Sequence, residues 1–194
     1  MNRSLLTRLL RIGTDERASA ATEIALALPL LLLFIFGTVD IARYLMTVDR
    51  VHRLASASSD LLARAQALRQ ADVVDVLNAV EEMAKPLDLL ANGGIIVTGV
   101  ARIDSDGGQR VRWQHKMPAN LGISSKVGVV DGAPALPGTL VLREGDTIIV
   151  GETFYTFRPF LFSKGLFGLG DPAVQLYAES AHRPRLGSLY SVLP

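Results

Sequence analysis

The side chains that stand out as candidates for chemistry are three scattered histidines and one carboxylate at the start of an apolar run. His52, His115 and His182 show no metal-ligand spacing such as H-x-x-x-H, and the sequence has no cysteine. A G-x-S-x-G elbow, a P-loop and a G-x-G-x-x-G motif are also absent from the sequence. We therefore predict no catalytic residue, no metal site and no cofactor, and expect His52 to be a partly buried structural residue.

The exceptional carboxylate is Glu23. Residues 24–39 carry no charge, and with the weakly polar flank from Ala18 the segment can cross a bilayer, which takes about 20 residues of helix. A secretory signal peptide is the main alternative, although its apolar region is usually only about 7–15 residues long. We expect a membrane helix over residues 19–40 that includes the apolar residues Ile24, Pro29, Leu33 and Phe36.

The arginines around this segment predict its orientation. Four arginines precede the segment and three follow it closely, which favours a cytoplasmic N-terminus and an exported C-terminal part. The leader, residues 1–18, is short, basic and partly apolar, as expected of a segment at a membrane surface.

From the residues alone, Glu23 has a simple interpretation. It can extend to the lipid headgroups near the positive end of its helix, which costs little.

The leader, the small residue Ala18 and a carboxylate at the fifth position after it resemble a prepilin. The resemblance implies that a prepilin peptidase cuts between Ala18 and Ser19 on the cytoplasmic side. It also implies that Glu23 pairs with the new amino terminus of a neighbouring subunit. Ala18 stands where this family usually has glycine.

Two longer stretches make the resemblance more specific. The first is ATEIALALPLLLL from Ala21 with FGTVDIARY from Phe36, and the second is VGETFYTFRPF from Val150 with RPRLG from Arg183. Together they resemble the TadE-like proteins, minor pilin-like components of the tight-adherence (Flp, type IVc) pilus. Ile24 stands where this family often has phenylalanine, and Asp40 where glutamate is common.

The family resemblance implies a subunit that primes, caps or modulates the filament. It would be a single-pass inner-membrane protein with a periplasmic domain, or would itself enter the pilus. Its partners would be other pilin or minor pilin subunits, the prepilin peptidase, the inner-membrane assembly platform and membrane lipid, with no nucleic acid. The alternative is an uncleaved membrane anchor that carries a periplasmic binding or sensor domain.

Apolar periodicity predicts that the membrane helix continues into the exported part. Apolar and small residues recur at three- and four-residue steps from Ile41 to Ala65. We expect one helix from about Ala20 to Arg69, with residues 41–70 as an amphipathic spine. A second helix should begin with Asp72 as its N-cap and kink or split at Pro86.

The remaining residues, 71–194, are expected to form the exported domain. Strands are predicted at 95–103, 110–115, 147–157 and 173–181, with the first two as a hairpin and 121–138 as a loop. A helical spine packed on this small antiparallel sheet gives an α+β fold with a pilin-like layout.

An unusually apolar loop spans residues 160–169. We expect it to cover the sheet as core, and the alternative is an exposed patch that meets another pilus subunit or the membrane. The residues of that interaction patch would be Phe160, Phe162, Phe167, Arg158, Arg183 and Arg185.

Overall fold

A long helix packed on a four-stranded antiparallel sheet confirms the predicted α+β class. The computed structural model describes residues 16–103, 108–119, 122–136, 138, 140–160, 173–187 and 189–193, with the backbone alone for residues 16–19. In chain order the elements are α1 (Glu16–Ala63), β1 (Leu68–Arg69), α2 (Gln70–Ala84), α3 (Leu89–Asn92), β2 (Gly93–Ile103), β3 (Gly108–Met117), β4 (Thr147–Phe157), β5 (Val174–His182) and β6 (Val192–Leu193).

Helix α1 has 48 residues, which corresponds to about 72 Å at 1.5 Å per residue. Its C-terminal part packs on the domain and buries Val51, Leu54, Ala55 and Leu62, as the apolar periodicity predicts. Towards the N-terminus the same stripe is uncovered, and Ile41 is 63% exposed.

The prediction that α1 reaches Arg69 is wrong, because the helix ends at Ala63. The carbonyl of Ala63 accepts a hydrogen bond from the backbone N–H of Arg185 at 3.0 Å. Leu68 then turns into the core and pairs in parallel with Val192, which joins β1 to β6. Contacts with the C-terminal segment, which lie far away in sequence, therefore end the helix.

Pro86 splits the second helical region, as predicted, and α2 ends at Ala84. The predicted role of Asp72 as N-cap is wrong, since Arg69 occupies that position. Asp72 lies three residues further on, where its carboxylate accepts a hydrogen bond from the Arg69 N–H at 3.1 Å. The predicted apolar face of α2 is buried, and comprises Val73, Leu77, Val80 and Ala84.

The main sheet has the strand order β3-β2-β4-β5, and all its pairs are antiparallel. One face carries α1 and α2 over residues such as Ile95, Val97 and Ile149. The described part of the predicted loop 121–138 contains no helix or strand, and its residue Val127 packs with Val150 on the opposite face. Loop and helices therefore enclose the two faces of the sheet.

Helix α1 is in close contact with the sheet at Gly151 in β4. A Cβ atom at this position would overlap Ser58 Oγ and the carbonyl oxygen of Ala55. Ala55, Ser58 and Ser59 are all fully buried, so small side chains on the helix meet a strand residue without a side chain. This arrangement fixes both the separation of α1 from the sheet and its axial position.

We predict that Gly151→Ala lowers the free energy of unfolding by about 1–3 kcal/mol, because the added methyl group overpacks the helix–sheet contact. Gly122→Ala is the matched control, since a Cβ there meets no atom within 4 Å, and should change stability by less than about 0.5 kcal/mol. Denaturation of the full chain in detergent, followed by fluorescence of the single tryptophan, Trp113, measures both values. Equal stability of the two variants would contradict the close contact at Gly151.

Candidate functional site

The predicted processing site lies in the first turns of α1, whose backbone is helical through Ala18 and Ser19. The first 15 residues of the predicted leader lie outside the described residues. Glu23 is exposed one turn after Ser19 and forms no ion pair with any described residue. The domain therefore leaves this carboxylate accessible to another molecule.

The apolar half of α1 is largely uncovered by the part of the domain that the structure describes. Ile24 is 64% exposed, and Leu33, Phe36 and Pro29 are exposed as well. The helix from Ala20 onward is long and apolar enough to cross a membrane, and its most apolar window is only 6% buried. A helix that is apolar on every face must be covered by lipid or by other helices, and the described part of the domain covers little of it.

Asp40 connects this apolar half to the domain. Its side chain is almost fully buried, although it follows directly on the uncharged segment. One carboxylate oxygen accepts a hydrogen bond from the Phe160 N–H at 2.8 Å and lies 3.4 Å from an Arg43 guanidinium nitrogen. The end of β4 is thereby attached to α1 at the boundary of the apolar segment.

The phenylalanine-rich loop was expected to be core, and at Phe160 this prediction is wrong. Phe160 is 61% exposed, and the centre of its ring lies 6.1 Å from that of Phe36. Since Phe36 belongs to the apolar segment, the end of β4 reaches the level of that segment. Phe162 and Phe167 lie outside the described residues.

The arginines of the predicted interaction patch lie at opposite ends of the domain. Arg158 follows the C-terminal end of β4, whereas Arg183 contacts Asp146, just before β4 begins, at 3.3 Å. The strand of 11 residues separates them by roughly 35 Å. Arg185 pairs with Asp60 at 2.9 Å, so Arg183 and Arg185 hold the C-terminal segment in place. The three arginines do not form one patch.

Asp60 lies between two cations at the C-terminal end of α1. The hydrogen bond from Arg64 lowers the pKa of this carboxyl group most, and the nearby charge of Arg185 lowers it further. The pKa of Asp60 is lower in the folded chain than in the unfolded chain, so its ionised carboxylate stabilises the fold fully above the unfolded pKa. This stabilisation is lost as the pH falls through the folded pKa.

The histidines are as scattered in space as in the sequence. His52 is exposed, so the prediction of a partly buried residue is wrong. His182 Nδ1 lies 2.9 Å from Ser59 Oγ, where it joins β5 to α1, and burial lowers the pKa of His115 on β3. Within the described ranges, no group of three or more His, Asp or Glu residues could hold a metal ion.

A buried carboxylate in β4 was missed by sequence reasoning. Glu152 is completely buried, and its oxygens accept hydrogen bonds from Ser125 Oγ, from the Lys126 N–H at 2.8 Å and from the Tyr177 hydroxyl at 3.1 Å. Burial raises the pKa of Tyr177, and the adjacent Glu179 raises it further. The one available signal was a glutamate in an otherwise uncharged strand. Its role is to hold the covering loop on the sheet.

These observations define a class of α+β protein in which one N-terminal helix is both the spine of the domain and an uncovered apolar extension. Residues 18–60 match the family model described as TadE-like protein, and the predicted resemblance is confirmed over this segment. Over these residues the chain is similar to the TadE-like proteins of the Tad pilus system. The second resembling stretch, in β4 and after β5, lies outside the matched residues. Comparisons with curated proteins and with solved structures give no match.

We predict that Asp40→Ala frees the end of β4 from α1. A hydrogen bond to a charged group contributes about 1.5–3 kcal/mol, so the Phe160 amide should exchange its hydrogen roughly 10–100-fold faster. Hydrogen–deuterium exchange of the full chain in detergent measures this rate. Asp49→Ala is the control, because Asp49 forms only an exposed ion pair with Arg53 on the same helix. Unchanged exchange at Phe160 in Asp40→Ala would contradict the proposed attachment.

Proposed function

We propose that this chain is a minor pilin-like subunit that supports assembly of a Tad (Flp, type IVc) pilus by priming, capping or modulating the filament. One observation carries the proposal. The segment that matches the TadE-like family begins as an apolar helix that the described domain leaves largely uncovered, with a carboxylate near its start that pairs with no described residue. A subunit that assembles through its helix needs such a surface.

In this proposal the N-terminus is cytoplasmic, and residues 1–18 are removed as a leader. Residues 19–40 form the membrane helix, residues 41–70 contain the spine, and residues 71–194 complete the periplasmic α+β domain. The partners are the prepilin peptidase, other pilin or minor pilin subunits, and the inner-membrane assembly platform. The positions of the arginines around the apolar segment support this orientation.

The helix geometry explains how Glu23 can act in assembly. After cleavage before Ser19, the new ammonium group and the Glu23 carboxylate lie on one face of the helix, about 6 Å apart along its axis. Two parallel helices displaced by about one turn place the amine of one opposite the carboxylate of the other. Each charge then compensates the desolvation of its partner, and the pair fixes the axial displacement of the two subunits.

The alternative is an uncleaved anchor for a periplasmic binding or sensor domain. In that case Glu23 lies at the membrane surface and extends into the headgroups at little cost. Its removal would then leave pilus assembly unchanged, so the two functions differ in a measurable way.

We predict that Glu23→Gln reduces incorporation of the chain into assembled pili by at least about tenfold, the ratio that corresponds to about 1.4 kcal/mol. Glutamine keeps the shape of the side chain and removes only the charge. Comparison of the chain in sheared pili and in membranes measures incorporation and insertion separately. Asp49→Asn, which changes an exposed charge on the same helix, should assemble normally. Normal incorporation of Glu23→Gln would favour the uncleaved anchor.

Processing is a separate prediction. Chemical N-terminal sequencing should find Ser19 as the first residue in the wild-type strain and an uncut chain in a strain without the prepilin peptidase. Met1 at the start of the chain in both strains would exclude cleavage, whatever the Glu23 variants show.

A further inference from the structure

A basic cleft lies where α1 leaves the apolar segment. It has a volume of about 450 Å³ and is enclosed by α1, the turn between α2 and α3, and the end of β4. Three arginines line it, together with residues that offer hydroxyl, amide and apolar surfaces: Arg43, Arg50 and Arg158, with Thr47, Asn92, Tyr155, Thr156 and Phe157 among the others.

Two of these arginines converge around Tyr155. The Arg43 guanidinium lies over the Phe157 ring at 5.8 Å, and Arg158 donates a hydrogen bond to Asn92 Oδ1 at 3.4 Å. Burial is the largest influence on Tyr155 and raises its pKa. Asp88 raises it as well, whereas the charges of Arg43 and Arg158 lower it, so both cations act at the hydroxyl.

The charge balance of the cleft is positive. Asp40 pairs with Arg43 at 3.4 Å, and Asp88 is the acidic group that acts on Tyr155. Arg50 is half-buried in the wall of the cleft and forms no ion pair with a described residue. Counted over the residues that the structure describes, three arginines stand against two carboxylates, which suits the cleft to an anion.

The height of the cleft on α1 matches the headgroup layer. Arg43 lies four residues after Val39, the end of the uncharged run, which is about 6 Å along the helix axis. The polar layer on each side of a bilayer is roughly 5–8 Å thick. The contact between Phe160 and Phe36 places the residues that follow β4 beside the apolar segment, so the cleft at the end of β4 lies next to the boundary of that segment.

An apolar groove adjoins the basic cleft and shares Phe157 with it. The groove has a volume of about 570 Å³ and extends down the apolar part of α1. Its lining includes Leu33, Phe34, Ile41 and Pro159. A cleft for an anion above a groove for a hydrocarbon chain matches the two ends of a phospholipid.

We propose that the cleft and groove together bind one anionic phospholipid of the leaflet from which the domain emerges. Its phosphate group would lie among Arg43, Arg50 and Arg158, and an acyl chain along α1. Arginine suits this role because its planar fork of N–H groups can donate two hydrogen bonds to one phosphate. The proposal rests on the membrane placement of α1 in the proposed function. It adds a headgroup preference and a binding site to the general contact with lipid.

Native mass spectrometry of the full chain, released from detergent micelles, tests this site. Phosphatidylglycerol and phosphatidylcholine with identical acyl chains are added separately. We expect a phosphatidylglycerol adduct at least about fivefold more abundant than the phosphatidylcholine adduct. Arg50→Gln with Arg158→Gln should reduce this ratio to about one, and Arg50→Gln alone should reduce it at least about twofold. Arg183→Gln, at the far end of β4, removes the same charge and should keep the wild-type ratio.

The remaining outcomes separate the possible ligands. If soluble glycerol 1-phosphate binds as tightly as phosphatidylglycerol, the site takes a free phosphate group and the lipid proposal is overturned. The proposal is also overturned if Arg50→Gln/Arg158→Gln keeps the wild-type ratio of the two lipid adducts. The same holds if Arg183→Gln lowers that ratio as much as the double variant does. Glu23→Gln should retain the preference for phosphatidylglycerol, so failure of the assembly proposal and failure of the lipid proposal give different results.

Discussion

The close contact of α1 with β4 at Gly151 is the constraint on which the rest of the structure depends. The absence of a side chain at this residue allows Ala55, Ser58 and Ser59 to reach the sheet. This contact sets the height of α1 relative to β4, and therefore the level at which Asp40 meets Phe160. A single helix can join an apolar extension to a folded domain in a fixed position only if such a contact prevents it from sliding.

Strand β4 contacts most of the features described above, because its two faces pack against different parts of the chain. Gly151 meets the helix on one face, while Glu152 holds the covering loop on the other. At its C-terminal end, Phe157 contributes to both the basic cleft and the apolar groove, and Arg158 follows directly. These contacts explain the composition of the stretch in β4 that resembles the family but lies outside the matched residues.

The sequence predicted the elements well, because local patterns determine them. Periodicity and length identified α1, and β-branched residues identified the strands; β4 has the predicted bounds. The end of α1 at Ala63 was not predictable, since it depends on the distant backbone of Arg185. For the same reason the basic cleft was not predicted: Arg158 is more than 100 residues from Arg43 and Arg50 in the sequence and meets them only in the folded domain. Glu23 was identifiable because a lone carboxylate beside an uncharged run is visible without any tertiary contact.

Lipid accessibility along α1 tests the central claim that one helix is half membrane segment and half domain spine. The native chain has no cysteine, so single cysteines can be placed at Leu26 and Met46, which are 79% and 72% exposed. Since the domain covers neither residue, only lipid or neighbouring helices in the membrane can protect one of them. In native membranes opened to a water-soluble maleimide, Met46→Cys should react and Leu26→Cys should remain unlabelled, while both should react in denaturing detergent. Equal labelling of the two cysteines in the membrane would contradict the account.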